Sequence, residues 1–370
     1  MMTYTQITID ADRVRQNVKA MRETLAPETH VMAILKADAY GLGALRMAAI
    51  LEGVVDGVGV VTAAEAHGLQ GHVSVPLLLF SEPLPTEDID ALIVGNVMFT
   101  VYTLSFLARL SQRAVSLGKT VPIHLKANTG LNRLGFSPEV LPELLSKITS
   151  SAHIQLMGIF THLGFADEKR HPQTEMQLAV FQRLSESVRR NGFHTVKTHA
   201  LSTHGVLNVD VKSHDMVRVG LGLYQGAVTI SAPIGYIHDV QAGEWVSYSG
   251  LYHAAEDHKV AVIYAGYSAG IPSNTTGMAV VIAGQRYPVI GRICMDLIMV
   301  ALPQNSDFEV GQSVVLYGGE GDQTITPEDW KSWAGLNPRE IFCRFGYRAT
   351  IGEKSPSIPL SVKGGRLSRS

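Results

Sequence analysis

Val31-Met32-Ala33-Ile34-Leu35-Lys36, five apolar residues closed by a lysine, decides the fold. A run of this length and composition reads as a short buried strand. Similar runs recur at Gly57–Val61, Pro76–Phe80, Val97–Val101, Val121–Leu125, Leu156–Phe160, Thr195–Leu201 and Met216–Val219. Helical or polar stretches such as Phe106–Leu117 and Met176–Val188 separate them. Upstream, Ile7-Thr8-Ile9 is strand-like, and Asp10 can cap a helix whose apolar positions Val14, Val18, Met21 and Leu25 recur at helical spacing. Eight strand-helix units fit a (β/α)8 barrel, whereas a doubly wound open sheet more often stops at about five or six strands.

Beyond Gly226 the pattern changes to strand signals at Lys259–Tyr264, Met278–Ile282, Tyr287–Ile290, Ile298–Leu302 and Ser313–Tyr317, with almost no helical periodicity. One short helix is expected to begin at Thr326, with Pro327 in its first position. The chain therefore reads as an α/β barrel over residues 10–232 and a mostly β domain over 233–370, with residues 1–9 a strand joining the second. The tail Gly364–Ser370 reads as frayed.

Composition narrows the function. The 370 residues are 46% hydrophobic and 17% charged with 35 Gly and 16 Pro, which excludes disordered, collagenous and coiled-coil chains. Lys+Arg number 31 against 33 Asp+Glu, so there is no basic surplus for nucleic acid or an anionic membrane, and a small-molecule ligand is expected. Only Cys294 and Cys343 are present, no apolar run approaches the roughly 20 residues of a membrane span, and the N-terminus lacks the build of a signal peptide. A cytoplasmic protein is expected. None of the 14 His residues forms a close ligand pattern, so no metal is expected.

In such a barrel the chemistry sits where strands end at their C-terminal face. Here the runs close on Lys36, Lys126, Thr161-His162 and Ser202, and the last carries Arg218 followed by Gly220. A lysine ending a buried strand is a candidate Schiff-base amine, because a partly desolvated ammonium loses its proton more readily; a snorkelling surface lysine is the plainer alternative. Ser202, Arg218 and the turn Gly220-Leu221-Gly222 cluster after the last two strands, where barrels frequently bind phosphate. A lysine with a phosphate cradle points to pyridoxal phosphate.

The stretches Ala33-Ile34-Leu35-Lys36-Ala37-Asp38-Ala39-Tyr40-Gly41, Lys126–Gly135, Thr161-His162, His199-Ala200-Leu201-Ser202, Arg218-Val219-Gly220, Val246-Ser247-Tyr248, Gly266-Tyr267 and Gly291–Asp296 occur in order. In these the chain resembles the alanine racemases, fold-type III pyridoxal-phosphate enzymes. The resemblance implies that Lys36 carries the cofactor and then acts as one acid/base group, with Tyr248 as the other. Racemisation removes a proton from one face of Cα and returns it on the opposite face, so it needs two bases. The resemblance further implies that Arg218 faces the pyridine nitrogen, that His162 packs near the ring, and that Tyr40, Ser202, Gly220 and Leu221 hold the phosphate. Arg133, Arg292, Tyr267 and the backbone of Met295 form the substrate-carboxylate site and its entrance, and Lys126 corresponds to a lysine carbamylated in many members. In the family the tyrosine and the β-domain residues come from a partner subunit, which implies a homodimer with shared active sites.

Four places depart from the family pattern: Arg339 stands where a tyrosine is usual, Leu201 for asparagine, Ser268-Ala269 for Ala-Asp or Gly-Asp, and Leu297 for glutamine. Arg339 either replaces the tyrosine hydroxyl as a phosphate donor or admits a polar or acidic substrate side chain. The expected activity is racemisation of L-alanine to D-alanine. Racemisation of serine or another polar or acidic amino acid is the alternative, and a fold-type III decarboxylase is the third.

Overall fold

The computed structural model describes residues 4–354 apart from 210–213, 320 and 322. Its N-terminal half is one parallel sheet of eight strands: His30–Ile34, Gly57–Val60, Leu77–Leu79, Met98–Val101, Val121–Lys126, Ile154–Phe160, Lys197–His199 and Met216–Val219. They lie side by side in chain order, and the last returns to the first through Val31 opposite Val217. At the remaining seam Ser202 bridges Arg218, and the Arg218 N–H donates to Leu201 O at 3.0 Å. The result is a nearly closed barrel.

Two glycines set its interior. A Cβ on Gly59 would stand 2.2 Å from the Phe80 ring, and one on Gly158 would stand 2.2 Å from His124 Nδ1. The space they leave holds Phe80, which packs with Met32, Ile34, Leu78, Met98 and Met216, and the His124 imidazole. Helices cover the outside. Asp10 caps Ala11–Arg22, which buries Val14, Val18 and Met21 and stops before the expected Leu25. Thr103 caps Leu104–Leu117, which ends on Gly118 in a left-handed conformation.

The second sheet runs His258–Ile263, Ile298–Leu302, Gln285–Ile290, Ala279–Ile282, Ser313–Tyr317, Val228–Val240, Gln6–Ile9 and Thr350–Glu353. Val228–Val240 pairs on again with His258–Ile263. This long strand starts upstream of residue 233, directly after the turn at Gly226. Gln6–Ile9 pairs antiparallel with it and parallel with Thr350–Glu353, burying Ile7 and Ile9 completely.

The helix Pro327–Ala334 starts under a Thr326/Asp329 capping box, as its sequence predicts. A second helix, Pro338–Gly346, follows, capped by Asn337 and burying Ile341, Phe342 and Phe345. Their three- and four-residue spacing is a helical signal that the strand-rich context masks. The tail Gly364–Ser370 lies outside the described residues.

Candidate active site

The first barrel strand leads through Leu35, whose N–H donates to Gly59 O at 2.9 Å, to Lys36. Directly after it, Ala37, Asp38, Ala39 and Tyr40 all have positive φ, between 52° and 63°. Non-glycine residues avoid this left-handed region at a cost of about 1–2 kcal/mol each, so the turn must be held by its surroundings. Glu65 Oε1 accepts from the Ala37 N–H at 2.6 Å, and Asp38 Oδ1 accepts from the Ala44 N–H at 2.6 Å. The helix Pro338–Gly346 closes over the turn, and a Cβ on Gly346 would stand 2.0 Å from Gly41 O.

Lys36 is half-buried, and burial pushes its amine below the ordinary lysine value, helped by the charges of Arg133 and Arg339. Lys126 is only 7% exposed, its Nζ lying 5.6 Å from the Phe160 ring centre. Burial first, then Arg133, Arg218 and Lys36, lower it to about 8. Two lysines and three arginines thus act on one another at this end of the barrel, which suits an anionic ligand.

Arg218 lies at the floor, 5% exposed. Its NH1 donates to His199 O at 2.9 Å and His199 Nδ1 at 3.0 Å; its NH2 donates to Thr161 O at 2.8 Å and Ala200 O at 3.0 Å, and lies 3.4 Å from His162 Nδ1. Burial lowers the guanidinium to about 9, still charged at neutral pH. His162, half-buried beside it, is lowered to about 3 by burial and by Arg218.

Behind Arg218 stands a pair the sequence reading missed. His199 stacks on Phe160, ring centres 4.7 Å apart, and its Nε2 lies 2.9 Å from His124 Nδ1. The one signal for it was a histidine on an inward position of the strand Val121–Lys126, opposite a glycine.

Tyr40 lies against Gly220, Arg339 acts on Tyr40, and Ser202 bridges Arg218 just before Gly220 in the chain. Gly220 is required here, because a Cβ on it would stand 2.2 Å from the Tyr40 hydroxyl. Burial raises that phenol to about 12. Within the expected N–H cradle, Gly220 and Gly222 both donate to Thr203 Oγ1 at 3.2 Å. Thr203, unnoticed in the sequence, therefore shapes the loop. Arg339 NH2 lies 3.3 Å from His204 Nδ1, and its charge acts on Tyr40 as well as Lys36.

Tyr248, Tyr267, Arg292 and Met295 form a separate group on β-domain loops. The Ser247 hydroxyl donates to Arg292 O at 3.2 Å, Tyr267 N–H to Cys294 O at 3.0 Å, and Ser268 N–H to Met295 O at 2.8 Å. Tyr248 is 69% exposed, Met295 56% and Tyr267 43%, and among the described residues no hydrogen bond joins any of the four to Lys36. The fold thus gathers the expected residues into two clusters.

Residues 9–228 match the family model described as the alanine racemase N-terminal domain, and residues 227–351 that of the alanine racemase C-terminal domain. The alanine racemase of Prochlorococcus marinus is 32% identical, with 92% of this chain and 94% of that protein aligned; that of Synechocystis is 31% identical over 92% and 96%. Among solved structures, the alanine racemase of D-cycloserine-producing Streptomyces lavendulae superposes with a TM-score of 0.89 at 30% identity, covering 96% of this chain and 98% of the other. That of Clostridium difficile 630 gives 0.87 at 28% identity, covering 96% of each. A strained lysine turn, a buried guanidinium floor and matches across both halves lead to one conclusion: the chain belongs to the alanine racemase family.

Proposed function

We propose that this chain interconverts L- and D-alanine with pyridoxal 5'-phosphate, as a homodimer in the cytoplasm. The observation that carries the reading is Lys36 directly before its left-handed turn, with its charge and that of the buried Arg218 both acting on His162.

The residues present fit this cofactor. NH1 and NH2 of Arg218 are fully engaged, while its Nε–H has no acceptor among the described residues and would donate to the cofactor's ring nitrogen. Tyr40, Ser202, the N–H of Leu221 and Arg339 would hold the phosphate, with Gly220 keeping the Tyr40 hydroxyl accessible. Lys36 would carry the cofactor aldehyde covalently. When bound, the cofactor supplies an electron sink that acidifies the Cα–H of an attached amino acid.

The remaining chemistry belongs to the chain. The lowered Lys36 amine takes or returns the Cα proton on one face. Tyr248 of the partner subunit would serve the other face; within one chain no hydrogen bond among the described residues joins it to Lys36. Arg133, beside Lys36 and Lys126, and Arg292, Tyr267 and the Met295 N–H from the partner side would hold the substrate carboxylate. Arg218, always a donor, keeps the electron sink weak and so restrains side reactions. Lys126, with its lowered amine, is suited to carbamylation, which would give Arg133 an anionic neighbour.

Arg339 is read as a phosphate-side donor, because it contacts His204 and acts on Tyr40. This favours alanine over an acidic substrate. Purified protein with an absorbance band of the lysine-bound cofactor, driving L-alanine to zero optical rotation, is the expected result. A colourless protein overturns the cofactor assignment, and a coloured one silent on alanine but active on serine or glutamate overturns the substrate.

A further inference from the structure

Glu65 opens the helix Ala63–Leu69 that follows the second barrel strand. Its N–H donates to the Thr62 hydroxyl at 3.2 Å, and its own Oε2 accepts from the N–H groups of Val61 at 2.8 Å and Thr62 at 3.0 Å. An ordinary capping box needs no more than this reciprocal pair. Oε1 does something the cap does not require: it reaches across to the first strand's exit and accepts from the Ala37 N–H at 2.6 Å. Ala37 is the residue directly after Lys36 and the first of the left-handed run. One carboxylate therefore joins two neighbouring strand ends and fixes the peptide on which Lys36 stands. Among the titratable groups that act on Lys36, Arg133 and Arg339 oppose its protonation while Glu65 and Cys343 favour it, and Lys126 is coupled to it as well. Glu65 is the one carboxylate among them.

We infer that Glu65 is a positioning residue for Lys36, fixing its backbone through Ala37 and setting a carboxylate against the two arginines. This rests on reading Lys36 as the cofactor lysine.

The test labels the full-length chain, before cofactor is added, with trace acetic anhydride over a pH series. Mass spectrometry follows the Lys36 peptide against exposed Lys119. In Glu65→Gln the labelling midpoint of Lys36 shifts to lower pH, because a carboxamide carries no charge and its NH2 end faces a donor. In Thr62→Val, which removes the other half of the cap, the midpoint stays at the wild-type value. An unchanged midpoint in folded Glu65→Gln overturns the inference and leaves Glu65 a helix cap. Should Glu65→Gln not fold, Glu65→Asp keeps the charge but loses the reach to Ala37: a loss in kcat at unchanged KM for alanine supports positioning, and wild-type kcat overturns it. The labelling midpoint is read without cofactor, so failure of the cofactor reading, a colourless loaded wild type, is seen separately.

Discussion

His199 Nε2 lies 2.9 Å from His124 Nδ1, and the other His199 nitrogen faces Arg218 NH1 at 3.0 Å. Because a guanidinium only donates, the His199 proton must sit on Nε2 and point at His124. Both imidazoles are thereby neutral, in single tautomers, and the position of Arg218 is set two residues deep into the barrel.

That arrangement dictates a pH dependence. Burial, then Lys197 and Arg218, hold His124 down to about 3, and burial and Arg218 hold His199 well below its ordinary value. In the unfolded chain each takes up a proton near pH 6.5, so from there down towards the folded values the unfolded state binds more protons. Stability therefore falls with falling pH, by about 1.4 kcal/mol per pH unit for each such group. Urea unfolding at pH 7, 6 and 5 should show this fall, and a His124→Phe variant should show a shallower one. Equal slopes in the two proteins contradict the assignment.

The proposed dimer, with Lys36 from one chain and Tyr248 from the other, makes a second outcome specific. Lys36→Ala and Tyr248→Phe homodimers should each lose about 100- to 10,000-fold in activity, the range for a positioned acid or base. Unfolded together at equal amounts and refolded, they should recover about a quarter of wild-type activity, since half the dimers are mixed and each mixed dimer has one intact site of two. No recovery means that both groups act within a single chain.

Arg339 should matter for the cofactor more than for the substrate. Losing a charge-assisted bond worth about 1.5–3 kcal/mol, Arg339→Ala should release pyridoxal phosphate about ten- to a hundredfold more readily, with KM for alanine nearly unchanged. Equilibrium dialysis followed by kinetics checks this. A raised KM with undiminished cofactor retention points instead to a substrate contact.

For Lys126 the expected chemistry is addition of CO2 to the neutral amine, and with its value near 8 the neutral fraction rises steeply from pH 6.5 to 8.5. Carbon-13 bicarbonate should give a carbamate resonance that grows over that interval and is absent in Lys126→Ala. A resonance unchanged in the variant assigns the carbamate to another amine.

The barrel was legible because its strands are continuous apolar runs, and the residues closing them, Lys36, Lys126 and Arg218, carry their chemistry in their type. The left-handed turn was not: Ala37, Asp38, Ala39 and Tyr40 contain no glycine, and it is held by the Asp38 carboxylate on the Ala44 N–H and by tertiary contacts from Glu65 and the helix Pro338–Gly346. The His124–His199 contact joins residues 75 positions apart and was equally invisible. Thr203 escaped because a hydroxyl accepting two backbone N–H groups leaves no periodicity. The long strand Val228–Val240 was missed because Gly235 and two prolyl or charged breaks interrupt its apolar pattern.

The strand Gln6–Ile9 lies between Val228–Val240 and Thr350–Glu353. During synthesis, then, Gln6–Ile9 leaves the ribosome well before either of its sheet partners, while the barrel can already be assembling. Ile7 and Ile9 reach their full burial as Val228–Val240 and then Thr350–Glu353 join the strand, so the seam closes in the order of synthesis. A slow late folding phase, abolished when Gln6–Ile9 is deleted, is what such a clasp leaves behind.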